Sequence, residues 1–100
     1  MFVLELTYTA PIERIDELIP AHRTWLEARY AEGVFLASGR KEPREGGVIL
    51  AGGVGRSEIE MIVATDPFSV AGVCTYRIME FLATKTVKEL APFRDELPAS

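Results

Sequence analysis

The chain holds a single cysteine, Cys74, and a single histidine, His22, in 100 residues. One thiol cannot close an internal disulfide, and with one imidazole it makes no zinc quartet. No G-x-x-x-x-G-K-[ST] run and no six-residue G-x-G-x-x-G run occurs, so we expect neither a metal nor a cofactor. A basic surplus is missing too. Eleven Lys and Arg stand against 15 Asp and Glu, a net charge of −4. That balance argues against nucleic acid or an anionic membrane as the main partner. No apolar run approaches the roughly 20 residues of a membrane helix. Met1-Phe2-Val3-Leu4-Glu5 lacks the basic start of a signal peptide, which makes a cytoplasmic home the expectation. What remains is a globular composition, 48% hydrophobic and 26% charged. The length suits one domain over residues 1–100, small enough to gain from dimerisation.

The stretch from Pro11 to Gly33 organises the rest. Ile12, Ile15, Leu18, Ile19, Trp25 and Leu26 recur in steps of three and four, which predicts an amphipathic helix. His22 follows Ile19 by three and precedes Leu26 by four, so it falls on the apolar stripe. Pro11 suits a helix start and Gly33 a left-handed stop. Pro20 predicts a kink or a restart, with His22 in the first turn of the second piece.

Around it the chain reads as strand, helix, strand, strand, helix, strand. Phe2–Thr9 alternates with a two-residue period and is the first strand. Val34–Ser38 is the second, and Val48–Ala51 the third, with a loop over Gly39–Gly47 between them. Ser57-Glu58-Ile59-Glu60 fits a capping box with Ser57 at the N-cap, and its helix should end near Thr65. Asp66-Pro67 stops it, and a helical turn over Phe68–Gly72 follows. Val73–Leu82 is the last strand. Residues 84–100 read as a partly ordered tail, although Val87, Leu90 and Phe93 could dock. This order is the split-βαβ, ferredoxin-like arrangement, an α+β fold with two helices on one face of a four-stranded antiparallel sheet. The other face, with Val3, Glu5, Thr7, Thr9, Arg77 and Met79, is half apolar. Such a face suits burial against a second copy, making a homodimer.

His22 is the first candidate for chemistry, because imidazole takes and returns protons near neutral pH. The plain alternative is a core histidine satisfied by a carbonyl or water. Asp66 is the candidate partner, able to fix the ring's tautomer. Its plain alternative is a turn aspartate bonding its own backbone. Gly52–Ser57 resembles a phosphate cradle, yet a strand-to-helix turn explains its glycines better. Ser38 and Gly39 end the second strand, either at a pocket mouth or as turn residues. Arg40, Lys41 and Arg44 form a basic loop that is either a guide for anions or a solvated hairpin tip.

Three stretches together resemble the YCII-related (YciI-like) family. They are the first strand with Pro20-Ala21-His22-Arg23-Thr24-Trp25-Leu26; then Gly33–Gly39 with Pro43-Arg44 and Gly46-Gly47; then Asp66-Pro67-Phe68, Ala71-Gly72, Tyr76-Arg77-Ile78 and Glu80-Phe81. The resemblance implies a dimeric α+β barrel, a homodimer joined through its sheets. It also implies a histidine–aspartate active site, mapping to His22 and Asp66, and a serine–glycine pair mapping to Ser38 and Gly39. Arg40 departs from the family pattern, which often has proline there. One related member removes chloride from a hydroxylated aromatic ring, and the barrel group includes muconolactone isomerases. The first functional expectation is therefore a cofactor-independent isomerase or lyase acting on a small oxygenated cyclic or aromatic substrate. His22 would be the acid/base, Asp66 its orienter, and Ser38, Gly39 and Arg40 the pocket wall. The alternatives are a non-catalytic dimeric small-molecule-binding or accessory module, and a purely structural dimer.

Overall fold

A computed structural model describes residues 1–98. The sheet comprises β1 (Phe2–Tyr8), β2 (Phe35–Arg40), β3 (Gly46–Ala51) and β4 (Cys74–Glu80). Its order is β2-β3-β1-β4, and every pairing is antiparallel. Helices α1 (Ile12–Ala31), α2 (Arg56–Ala64) and the short α3 (Pro67–Val70) complete the core elements. The α+β, ferredoxin-like reading holds, and β2 and β3 pair as the expected hairpin.

One face of the sheet carries the core. Phe2, Leu4, Phe35, Ile49 and Ala51 from the strands meet Trp25 of α1 and Ile59 and Val63 of α2. A second cluster joins Leu6, Ile15, Phe68 and Val73 where α1 crosses α3. Removing these side chains from water is the main driving force of the fold. On the opposite face Val48 and Met79 remain 40% and 45% exposed.

α1 runs unbroken through Pro20, and the expected restart does not occur. Proline forfeits one backbone bond, to the carbonyl of Asp16. Both residues lie on the exposed side of the helix. Packing at buried Ile15 on one side of the proline and buried Trp25 on the other holds the helix together. Its carboxyl end is a Schellman motif. Gly33, at φ 76°, donates to Tyr30 and Val34 donates to Arg29. Ile12, at one end of the apolar stripe, is 36% exposed.

Two further expectations change. Ser57 is not an N-cap: Gly55 is, and no side chain caps α2. The helix begins at Arg56, which instead pairs with Glu60 one turn on. β2 also runs to Arg40, so Ser38 and Gly39 lie within the strand rather than at its end. The pairing with β3 shifts register between Phe35 and Ala37, a bulge. Phe35 faces Ala51 on the helix side, and after the extra residue Ser38 pairs with Ile49 and Arg40 with Gly47. A one-residue shift exchanges the two faces of a strand. The bulge therefore turns Ser38 and Arg40 toward α1.

The segment after β4 folds back. A 3₁₀ turn, Lys88–Phe93, leads to Asp95, which exchanges two hydrogen bonds with Ala83. The Asp95 carboxylate also takes the terminal ammonium of Met1 at 3.2 Å. The Ala83 amide, then that ammonium, hold its carboxyl below the usual range. Phe93 lies over Gly52 and Gly53, and a Cβ on Gly52 would stand 3.2 Å from its ring. The glycines that resembled a phosphate cradle instead accept an aromatic ring. Of the residues read as a loose tail, 99 and 100 lie outside the described residues.

Gly46 generates a direct test. A Cβ there would meet the Leu6 carbonyl oxygen at 1.8 Å, inside the β1–β3 ladder. Neither backbone can retreat without breaking the sheet. Gly46→Ala should therefore cost about 3 kcal/mol in a urea titration, against about 1 kcal/mol or less for Gly55→Ala, where nothing lies within 4 Å and only the N-cap preference for glycine over alanine is lost.

Candidate active site

The midpoint of α1 presents His22 toward the joint between α2 and α3. Its Nδ1 lies 2.8 Å from Oδ1 of Asp66. Asp66 is fully buried, and the imidazole is 16% exposed. The turn chemistry expected of an aspartate before proline is also present. Asp66 is the N-cap of α3, and the Phe68 amide donates to the same Oδ1 at 2.9 Å. The other oxygen, Oδ2, accepts the Tyr76 hydroxyl at 2.5 Å. One carboxylate thus makes both the turn contact with its own backbone and the contact with His22.

The Phe68 amide and the Tyr76 hydroxyl thus satisfy the two oxygens of a buried carboxylate, and Oδ1 also meets Nδ1 of His22. A ring that donates from Nδ1 to this carboxylate leaves Nε2 as its second nitrogen, facing away from Asp66. No protein group binds Nε2 among the described residues. Burial, and then the charge of Asp66, push the Tyr76 phenol far above its ordinary value, so it stays a neutral donor. The ring is fixed by stacking as well. It lies on Phe68 with centroids 4.2 Å apart and planes 13° from parallel. Trp25 flanks it at 5.6 Å and donates to Thr65, the residue before Asp66.

His22 lines a cavity of about 520 Å³ between α1 and the β2–β3 hairpin. Ser38, Gly39 and Arg40 all line it, while Asp66 stands behind the ring. The Ser38 hydroxyl is engaged with Tyr30 at 2.6 Å, so it forms no triad with His22. The basic loop divides. Lys41 pairs with Glu5, which faces away from the helices. Arg44 pairs with Asp16 of α1, which raises its already high pKa. Among the described residues no three of His, Cys, Asp and Glu converge to hold a metal ion. Sequence reasoning missed Tyr76 as a partner of Asp66, and Phe68 as both stacking ring and amide donor. The signal for Tyr76 was its inward phase on β4, since a buried phenol needs a polar partner.

A family model for the YCII-related domain matches residues 1–82. The chain belongs to that family. The segment from Ala83 to Asp95 lies beyond the matched YCII-related region. No curated protein matches the chain. Among solved structures it is similar to 5-chloro-2-hydroxyhydroquinone dehydrochlorinase (TftG) of Burkholderia phenoliruptrix AC1100, in complex with 2,5-dihydroxybenzoquinone. The TM-score is 0.64 at 21% identity, covering 81% of this chain and 93% of that one. The likeness shows a shared YCII-type fold.

Two outcomes follow from this geometry. Tyr76→Phe leaves Oδ2 of a buried carboxylate without a partner, and should lower unfolding free energy by about 1–3 kcal/mol. A loss within a few tenths would show that Asp66 does not depend on that bond. Burial pushes the Cys74 thiol from 9.0 up to about 11. The folded chain keeps this proton where the unfolded chain has lost it, so the contribution falls as pH rises from 9.0 toward about 11. At pH 8 iodoacetamide should alkylate native Cys74 on the order of 10² times more slowly than the urea-unfolded chain.

Proposed function

We propose that the protein is a small acid/base enzyme, an isomerase or lyase, acting on a small oxygenated cyclic or aromatic metabolite. The observation that carries this reading is the orientation of His22, with Nδ1 on a buried carboxylate and the ring lining a cavity. As a base, Nε2 takes a proton from an O–H or C–H of the substrate. As an acid it returns that proton to another atom, completing an isomerisation. In an elimination the electron pair of the broken bond instead drives out a leaving group as an anion. Asp66 stays ionised throughout and stabilises the imidazolium. The apolar wall of Leu6, Ile19, Leu26, Ile49 and Phe68 suits a ring-sized substrate. Membership of the YCII-related family supports the reading, as does a structural neighbour that removes chloride from a hydroxylated ring. Ser38, Gly39 and Arg40 form the substrate-binding wall. The reaction needs no cofactor in this scheme.

The proposal includes a homodimer through the sheet face that bears Val48 and Met79, and a cytoplasmic setting, where a free thiol such as Cys74 stays reduced. No helix of the described residues is long and apolar enough to cross a membrane. Light scattering should report twice the chain mass at micromolar concentration, and a clean monomer would remove the dimer from the proposal.

The activity test is proton exchange. A panel of hydroxylated and halogenated hydroquinones and cyclic enol lactones is incubated in D₂O, with deuterium uptake, isomerisation and halide release followed together. On a turned-over compound His22→Ala should lower the rate by about 10²–10⁴ with the fold intact. Asp66→Asn should fall as far, because an amide can donate to Nδ1 and hold the ring in the wrong tautomer. A His22→Ala variant that keeps wild-type turnover would end the proposal. Binding of panel compounds without any chemistry would favour a small-molecule-binding module.

A further inference from the structure

The cavity that His22 lines is charged, and its charge opposes that of the molecule. Asp16, Arg23, Arg40 and Arg44 contribute to its wall, three cations against one anion, in a chain of net charge −4. Asp16 is spent on Arg44. Arg23 and Arg40 keep no acidic partner among the described residues, although Arg14, Arg29, Arg56 and Lys41 each pair with a glutamate. The two come from opposite walls. Arg23 follows His22 on α1, and Arg40 is turned inward from β2 by the bulge after Phe35. Neither is needed to satisfy the fold. A guanidinium presents a planar fork of donors that matches an oxyanion. A cavity with low-dielectric walls concentrates the field of such groups.

We propose that Arg23 and Arg40 form an anion subsite, and that the natural ligand is a small ring compound carrying a carboxylate. This deepens the acid/base reading and rests on it, since the ring would lie between the arginines and Nε2 of His22. The carboxylate anchors one edge and the apolar wall holds the ring. The opposite edge then meets Nε2, where the proton moves. The arginines bind and orient; they take no part in proton transfer.

Binding tests this without knowledge of the natural substrate. The probes are 3-hydroxybenzoate and 3-hydroxybenzamide, nearly equal in shape and different in charge. Titration calorimetry at low salt should show the benzoate binding at least about tenfold more tightly than the amide. The advantage should shrink as salt rises, because solvent-accessible charges are screened. Arg40→Gln and Arg23→Gln should each remove most of it, with circular dichroism confirming the fold. Arg40→Lys should restore part, keeping the charge without the fork. Lys41→Gln, next along the chain but paired with Glu5, should change nothing. Equal binding of the two probes, or no benzoate binding up to 10 mM on the order of a weak ligand's range, would overturn the subsite. The His22→Asn variant separates this outcome from the fate of the acid/base reading. The subsite predicts that it still prefers benzoate. Loss of the preference in His22→Asn but not in the arginine variants would assign the anchor to His22 and overturn the subsite alone. Failure of turnover with the preference intact would end the enzyme reading and leave an anion-binding pocket.

Discussion

A carboxylate with no solvent exposure cannot stay ionised unless donors replace the water it has lost. Asp66 meets that demand with groups from three elements: the ring of His22 in α1, the Phe68 amide at the start of α3, and the Tyr76 hydroxyl on β4. The arrangement works in both directions. The partners replace the water the buried carboxylate has lost, and the carboxylate fixes where each partner sits. Tyr76 also packs against both apolar clusters, so the polar knot is tied into the core. A half-satisfied version would be worse than an apolar replacement, because a buried unpaired charge costs far more than a lost methyl contact.

Much of this was legible in the chain because local rules and the fold agree. Alternation in β1, helical spacing in α1 and the proline after Asp66 each point to the element that forms. The disagreements have identifiable physics. At Pro20 the sequence rule is local, while the outcome is decided by Ile15 and Trp25, which pack on either side. At Ser57 the capping signal competes with a glycine turn that starts the helix at Arg56. In β2 the periodicity cannot reveal an inserted residue, so the inward turn of Ser38 and Arg40 was hidden until the register was known. The fold-back of Phe93 was hidden for a related reason. It is a contact of long sequence separation, and the glycines it covers resemble another motif.

The same limit applies to the site. His22 stood out by its position on the stripe, and Asp66 by its turn. Their meeting depends on α2 ending beside the middle of α1, which the strand–helix order makes possible without specifying a distance. Alternation along the last strand puts Tyr76 on the face opposite Arg77 and Met79 and says nothing of a partner. Its hydroxyl acquires meaning once Asp66 lies within reach, and no one-dimensional pattern contains that.

The stacking of His22 on Phe68 adds a constraint that hydrogen bonds alone would not supply. One bond at Nδ1 leaves the ring free to swing about it, carrying Nε2 through an arc. Near-parallel contact with Phe68 on one side and Trp25 nearby removes that freedom. Nε2 is then held at one place on the cavity wall, as proton transfer at hydrogen-bond distance demands. The same residue, Phe68, supplies the ring that fixes the plane and the amide that fixes Asp66. The direction of the basic nitrogen is therefore set by the Asp66-Pro67-Phe68 turn. Proline restricts the residue before it to extended geometry, which here lets the Asp66 side chain accept from the Phe68 amide two residues ahead and reach across to α1.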